Sequence, residues 1–146
     1  MPRIERTAKI GWNGNIARGE GLLSAETGAF TELGFSLPTR IGQPEGKTSP
    51  EELLAAAHGG CLAMSLASEL SQLGHPPGHL EVTCQIVMDE VEGEGHQIVG
   101  SNVSVRADVP DLDEATFATA LALADENCPF SSLLKRSGAT VTITAA

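Results

Sequence analysis

Residues 48–78 read TSPEELLAAAHGGCLAMSLASELSQLGHPPG, a stretch that marks where a helix begins, how it runs and where it stops. Ser49 is a capping residue, Pro50 suits the first helical position, and Glu52 completes a capping box with Ser49. Leu53, Ala57, Cys61, Met64 and Ala67 recur at helical spacing, and Leu54, Leu62, Leu66, Leu70 and Leu73 fill much of the rest. Gly74 ends the helix, and His75-Pro76-Pro77-Gly78 cannot continue it. Only Ser68, Glu69, Ser71 and Gln72, near its end, look clearly solvated. A helix apolar on most sides is a buried central helix. In a chain of 146 residues, that much burial calls for a second subunit to help cover it. The helix also carries His58, Ser65, Ser68 and Glu69, which make it too polar for a good membrane span.

Upstream, residues 8–12, 16–25 and 30–37 read as short strands of a β-meander with Gly-containing turns, followed by a loop over 41–48. Downstream, residues 80–91 alternate, with Val82, Cys84, Ile86 and Met88 on one face. An acidic, Gly-rich turn leads to an antiparallel partner over 98–109, stopped by Pro110. Asp111 or Asp113 then caps a second helix to about Asn127, built on Phe117, Ala120, Leu121 and Ala124. Cys128-Pro129 breaks that helix and opens a short one to Arg136, and residues 140–144 form a last strand. The order β-β-β-α-β-β-α-α-β does not alternate in βαβ fashion. It favours an α+β fold with antiparallel sheets, a long buried central helix and a second helix, in a single domain over 1–146.

Aromatic residues are only 3% of the chain and Tyr is absent, so the core rests on Leu, Val, Ile, Ala and Met. The formal charge of -10 would be repelled by phosphate backbones, which argues against a nucleic-acid partner. The N-terminus carries Arg3, Arg6 and Lys9 with no apolar run behind them, so no signal peptide is expected. A soluble cytoplasmic protein, with no membrane partner, follows as the expectation. Three Cys in such a chain do not make a secreted disulfide framework. There is no Cys-x-x-Cys, and His58, His75, His79 and His96 are scattered, so neither a metal nor another cofactor is expected.

Each Cys must be judged by its surroundings. Cys84, among Val82, Ile86 and Met88, reads as a small buried hydrophobe. Cys61 follows Gly59 and Gly60, which together cost the helix roughly 1 kcal/mol each relative to Ala. Either another backbone packs closely there, or the glycines leave room for a substrate beside the thiol. Cys128 stands at an N-cap, where amides and the helix dipole favour a thiolate, or where a helix junction merely happens to use Cys.

The run Thr48-Ser49-Pro50-Glu51-Glu52-Leu53-Leu54-Ala55-Ala56-Ala57-His58-Gly59-Gly60-Cys61 resembles the signature of the OsmC/Ohr family of thiol peroxidases. Cys128-Pro129-Phe130-Ser131 is similar to its second part, and Trp12-Asn13-Gly14 and Thr39-Arg40 match upstream. The resemblance covers nearly the whole chain in the same element order. His58 is similar to the OsmC branch, where the organic-hydroperoxide-resistance branch usually has Tyr.

This resemblance implies reduction of organic hydroperoxides or hydrogen peroxide in defence against oxidative and osmotic stress. Cys61 would be the peroxidatic thiol and Cys128 the resolving one, recycled by an external dithiol of lipoyl type. It further implies an intertwined homodimer with active sites at the interface. Glu51 matches the family Glu, although it also reads as a first-turn carboxylate complementing the helix dipole. Arg40 matches the Arg of the OsmC branch and is favoured. Arg18 lies in the loop that holds the Arg of the other branch, and also reads as a solvated charge. A guanidinium near Cys61 would lower the thiol from its free value of about 8.5. His58 would tune the site or act as acid–base. Glu51 and Cys61 are roughly 15 Å apart along one helix, so Arg40 must bridge them or the second subunit must contribute. Two other readings stand: a non-catalytic dimer binding a small hydrophobe, and a thiol redox sensor without turnover.

Overall fold

The computed structural model describes residues 2–146. The chain divides into two compact units, Met1–Pro50 and Glu51–Ala146.

The first unit is an antiparallel sheet of β1 (Ala8–Asn13), β2 (Glu20–Ala25) and β3 (Leu33–Phe35), in that order. Trp12 lies opposite Gly21, and Gly21 opposite Phe35. A Cβ at Gly21 would fall 2.3 Å from the Phe35 ring, so only glycine lets that ring cross the strand. Phe35 there meets Trp12 with ring centroids 5.6 Å apart. A short helix α1 (Leu37–Ile41) follows, capped by Ser36, whose Oγ accepts the Thr39 N–H at 3.2 Å. The third strand is therefore shorter than the alternation over 30–37 suggested, and the expected loop begins with a helical turn. Ser36-Leu37-Pro38 is the reason: a cap followed by an early proline.

The second unit is built on α2 (Pro50–Gln72), β4 (His79–Val91), β5 (Gly95–Asp108), α3 (Glu114–Asn127), α4 (Pro129–Arg136) and β6 (Thr140–Ala145). Its sheet runs β4-β5-β6. The β4–β5 hairpin is antiparallel with Val82 opposite Val105 and Cys84 opposite Val103. β6 pairs with β5 in parallel, from Gly100 opposite Thr140 to Val105 opposite Ala145. The sheet is thus mixed, where an antiparallel one was expected. The two intervening helices form the long crossover that a parallel neighbour requires. Asp113, not Asp111, caps α3 by accepting the Thr116 N–H at 2.6 Å.

Leu62, Leu66 and Leu70 from α2 form the core with Val103 and Val105 from β5, Ala120, Leu121 and Ala124 from α3, and Cys128. The three leucines are fully buried, each a gain of about 1.5–3 kcal/mol over exposure. The buried stripe of α2 is His58, Gly59, Leu62, Leu66 and Leu70. Its opposite side, Ala56, Gly60 and Met64, is exposed. All-round burial of this helix is therefore absent in a single chain. By length and composition alone α2 is apolar enough to cross a membrane, contrary to the polarity argument above, but its leucine stripe packs in this core.

Candidate functional site

The packing of α2 against α4 brings Cys61 and Cys128 together. Both are free thiols, Cys61 half-buried and Cys128 fully buried, and they lie near enough for the Cys128 thiol to act on the ionisation of Cys61. Cys128 caps α4 through its sulfur: the Ser131 N–H donates to Cys128 Sγ at 3.5 Å. The Phe130 backbone N–H, one residue earlier, and the Ser65 hydroxyl are donors that favour the charged form of Cys61. Two successive amides at one helix start therefore face two different sulfurs, where the dipole of α4 favours negative charge.

These donors do not dominate. Burial pushes the Cys61 thiol above its ordinary value, and the Cys128 thiol adds to the rise. The Phe130 amide and Ser65 pull it back only in part. Burial and a second thiol both oppose a thiolate, so any lowering of the Cys61 thiol would have to come from the guanidinium expected from the sequence.

His58 is completely buried, one turn before Cys61 on α2. Its Nδ1 lies 2.6 Å from Ser101 Oγ on β5, and its Nε2 lies 2.7 Å from Ser131 Oγ on α4. Burial holds the imidazole below its ordinary value; Asp125 raises it and Lys135 lowers it by lesser amounts. The His58 expected to tune the site is thus a hydrogen-bonded bridge among three elements. Ser101 and Ser131 were missed as site residues. Ser131 stood inside the Cys128 motif, and Ser101 faces inward with Val103 and Val105, a polar residue on an apolar strand face.

Cys84 is half-buried rather than enclosed. Its sulfur is 3.4 Å from Ser101 Oγ and 3.8 Å from His58 Nδ1. It lines a groove of about 440 Å³ with Ala56, Gly59, Gly60, Ala63 and Val82. The two glycines divide between the two explanations offered for them. A Cβ at Gly59 would come 3.3 Å from Cys84 Cβ, so that glycine admits β4, whereas Gly60 faces open space.

Glu51 lies half-buried in the first turn of α2. The helix is continuous from Pro50 to Gln72, so Glu51 and Cys61 keep their separation of roughly 15 Å. Arg40 is in the last turn of α1 and Arg18 in the turn before β2, both in the first unit and both exposed. The Arg18 N–H donates to Asn15 Oδ1 at 2.9 Å. Among the described residues, no three His, Cys, Asp or Glu side chains are grouped to hold a metal ion.

A family model described as OsmC-like protein matches residues 42–144. The chain is 33% identical over 132 residues to the peroxiredoxin OsmC of Escherichia coli, spanning 90% of this chain and 91% of that protein. Its structure is similar to that of the organic hydroperoxide resistance protein OhrB of Bacillus subtilis, with a TM-score of 0.76 at 23% identity over 96% of this chain and 98% of that one. It is also similar to an organic hydroperoxide resistance protein OsmC from Legionella pneumophila, with a TM-score of 0.75 at 20% identity over 100% and 99%. At those identities the two solved structures speak for the fold alone.

Proposed function

We propose that this chain, which belongs to the OsmC-like protein family, reduces hydroperoxides with Cys61 as the attacking thiol and Cys128 as the resolving thiol. The observation that carries this reading is the pair of free thiols, half-buried Cys61 beside buried Cys128, at the start of α4. The Escherichia coli relative is a peroxiredoxin by name, which supports a peroxide as substrate. Organic hydroperoxides are the preferred substrate in this proposal.

The Cys61 thiolate attacks the terminal peroxide oxygen. An S–O bond forms, the O–O bond breaks, and the alkoxide takes a proton to leave as an alcohol. Sulfur is oxidised by two electrons and the peroxide reduced by two. Cys128 then attacks the sulfenic sulfur; its S–H and the Cys61 S–O bonds break, S–S forms, and water leaves. An external dithiol, of lipoyl type, restores both thiols by exchange and is itself oxidised to a disulfide.

The surroundings of Cys61 within its own unit raise its pKa, so the nucleophile needs a cation from elsewhere. Arg40 takes that role, with Glu51 orienting it through a bidentate pair; Arg18 is the secondary choice. The site is shared between two chains of a homodimer. Supporting this are the exposed α2 face at Gly60 and Met64 and the exposed apolar residues Ile10 and Leu22 of the first sheet. Three unpaired cysteines suit a reducing cytoplasm.

The test is peroxide consumption with a dithiol present, using hydrogen peroxide and an organic hydroperoxide in parallel. Cys61→Ser abolishes turnover with both; a Cys61→Ser protein of full activity would end this reading.

A further inference from the structure

His58 is fully buried and still meets a hydroxyl at each ring nitrogen. A neutral imidazole offers one donor and one acceptor, so one serine donates to it and the other accepts, whichever tautomer is present. Burial keeps the ring neutral. The charges acting on it, Asp125 on α3 and Lys135 on α4, work in opposite directions and are ion-paired with each other. A third contact, Cys84 on β4, approaches the same end of the ring as Ser101.

The two serines are not equivalent. Ser101 sits on β5, the middle strand of its sheet, and is fully buried, which makes it an anchor. Ser131 lies in the first turn of α4 and gives its backbone N–H to Cys128 Sγ. His58 therefore connects a fixed strand to the residue whose amide attends the second thiol, from a position one turn before the first thiol.

From this geometry we infer that His58 is a positioning residue for the disulfide-forming step: anchored on Ser101, it holds Ser131 and so keeps Cys128 Sγ against Cys61. The inference rests on the reading that Cys128 resolves Cys61. In that step two sulfurs must come into bonding distance while Cys128 stays buried at the α4 cap, and small misplacement is costly in rate. The attack on peroxide does not use Cys128, so it depends less on the bridge.

The experiment compares wild type with His58→Phe, His58→Gln and Ser131→Ala. Each receives one equivalent of an organic hydroperoxide without reductant. Three quantities are followed: peroxide loss, Cys61 sulfenic acid captured by a carbon-nucleophile trap, and the Cys61–Cys128 disulfide. Peroxide loss changes less than disulfide formation in every variant. Disulfide formation slows roughly tenfold in His58→Phe and Ser131→Ala, the rate equivalent of one lost buried hydrogen bond, and trapping rises accordingly. His58→Gln, which retains one donor and one acceptor, recovers most of the rate.

Should His58→Phe fail to fold, Ser131→Ala carries the comparison. Wild-type disulfide kinetics in Ser131→Ala would overturn the inference, as would equal slowing of peroxide loss and disulfide formation, which marks general distortion. If wild type forms the disulfide normally and the variants match it, only the positioning role falls. If wild type forms no Cys61–Cys128 disulfide, the resolving role falls with it.

Discussion

The Cys61 and Cys128 thiols lie beside one another although they come from opposite ends of the second unit. Adjacent amides, of Phe130 for Cys61 and Ser131 for Cys128, attend them. A charge on either sulfur thus meets the same helix start. In the proposed cycle this difference in exposure separates the roles: peroxide reaches the half-buried Cys61, and the buried Cys128 meets only what Cys61 has become.

Removing the second thiol should therefore stop the cycle after one event. Cys128→Ser is expected to consume one equivalent of peroxide in forming Cys61 sulfenic acid, and a second where that is over-oxidised to sulfinic acid. Mass spectrometry of the Cys61 peptide reads this directly. Multiple turnovers with an unmodified Cys61 would assign resolution to some other group.

The rise in the Cys61 pKa from burial and Cys128 makes the role of Arg40 measurable. Arg40→Gln is expected to shift the alkaline inflection of thiol alkylation at Cys61 upward and to slow peroxide reduction near neutral pH. An unchanged inflection in Arg40→Gln, with a shift in Arg18→Gln, would transfer the role to Arg18.

Gly59 and Gly60 should respond oppositely to the same substitution in one chain. Gly59→Ala gains about 1 kcal/mol of helix propensity but drives a methyl to 3.3 Å from Cys84 Cβ. Overpacking of that kind costs about 1–3 kcal/mol, so net loss in urea unfolding is expected. At Gly60 a methyl meets nothing in its own chain. The homodimer reading predicts that Gly60→Ala weakens dimerisation in light scattering. A Gly60→Ala protein that is more stable and equally dimeric would place the interface elsewhere.

Acid should destabilise the protein through His58. Its folded value lies below the ordinary one, which is about 6.5 in the unfolded chain. Between the two values the unfolded chain binds more protons, so stability rises with pH. The contribution is complete above about pH 6.5 and is lost as pH falls through the folded value. Asp113, held low by the Thr116 amide, titrates further into acid. Urea midpoints compared at about pH 8 and about pH 5 should fall in wild type more than in His58→Gln. Equal falls would show that His58 is not held neutral.

Much of this was legible in local signals. Ser49-Pro50 and Gly74 bound α2, and Cys128-Pro129 marks the junction of α3 and α4, because caps and prolines act on their own neighbours. The parallel pairing of β6 was not legible, since strand alternation says which face is buried and not which neighbour lies alongside. Cys61 and Cys128 were read as a pair only through their matched motifs; that they come near one another follows from tertiary packing. The opposing influences on Cys61, burial and the second thiol, come from the fold and left no mark in the motif, which suggests only a nearby guanidinium. Ser101 left a trace, one hydroxyl on an otherwise valine-lined face, that points to a buried polar partner.

The most direct measurement is peptide mapping of wild-type protein after one equivalent of organic hydroperoxide, with free thiols alkylated beforehand in a parallel control. The account predicts a Cys61–Cys128 linked peptide pair, Cys84 still alkylatable, and reversal of the link by a dithiol. Recovery of both thiols unlinked while peroxide is consumed, or a link from Cys61 to Cys84, would contradict it.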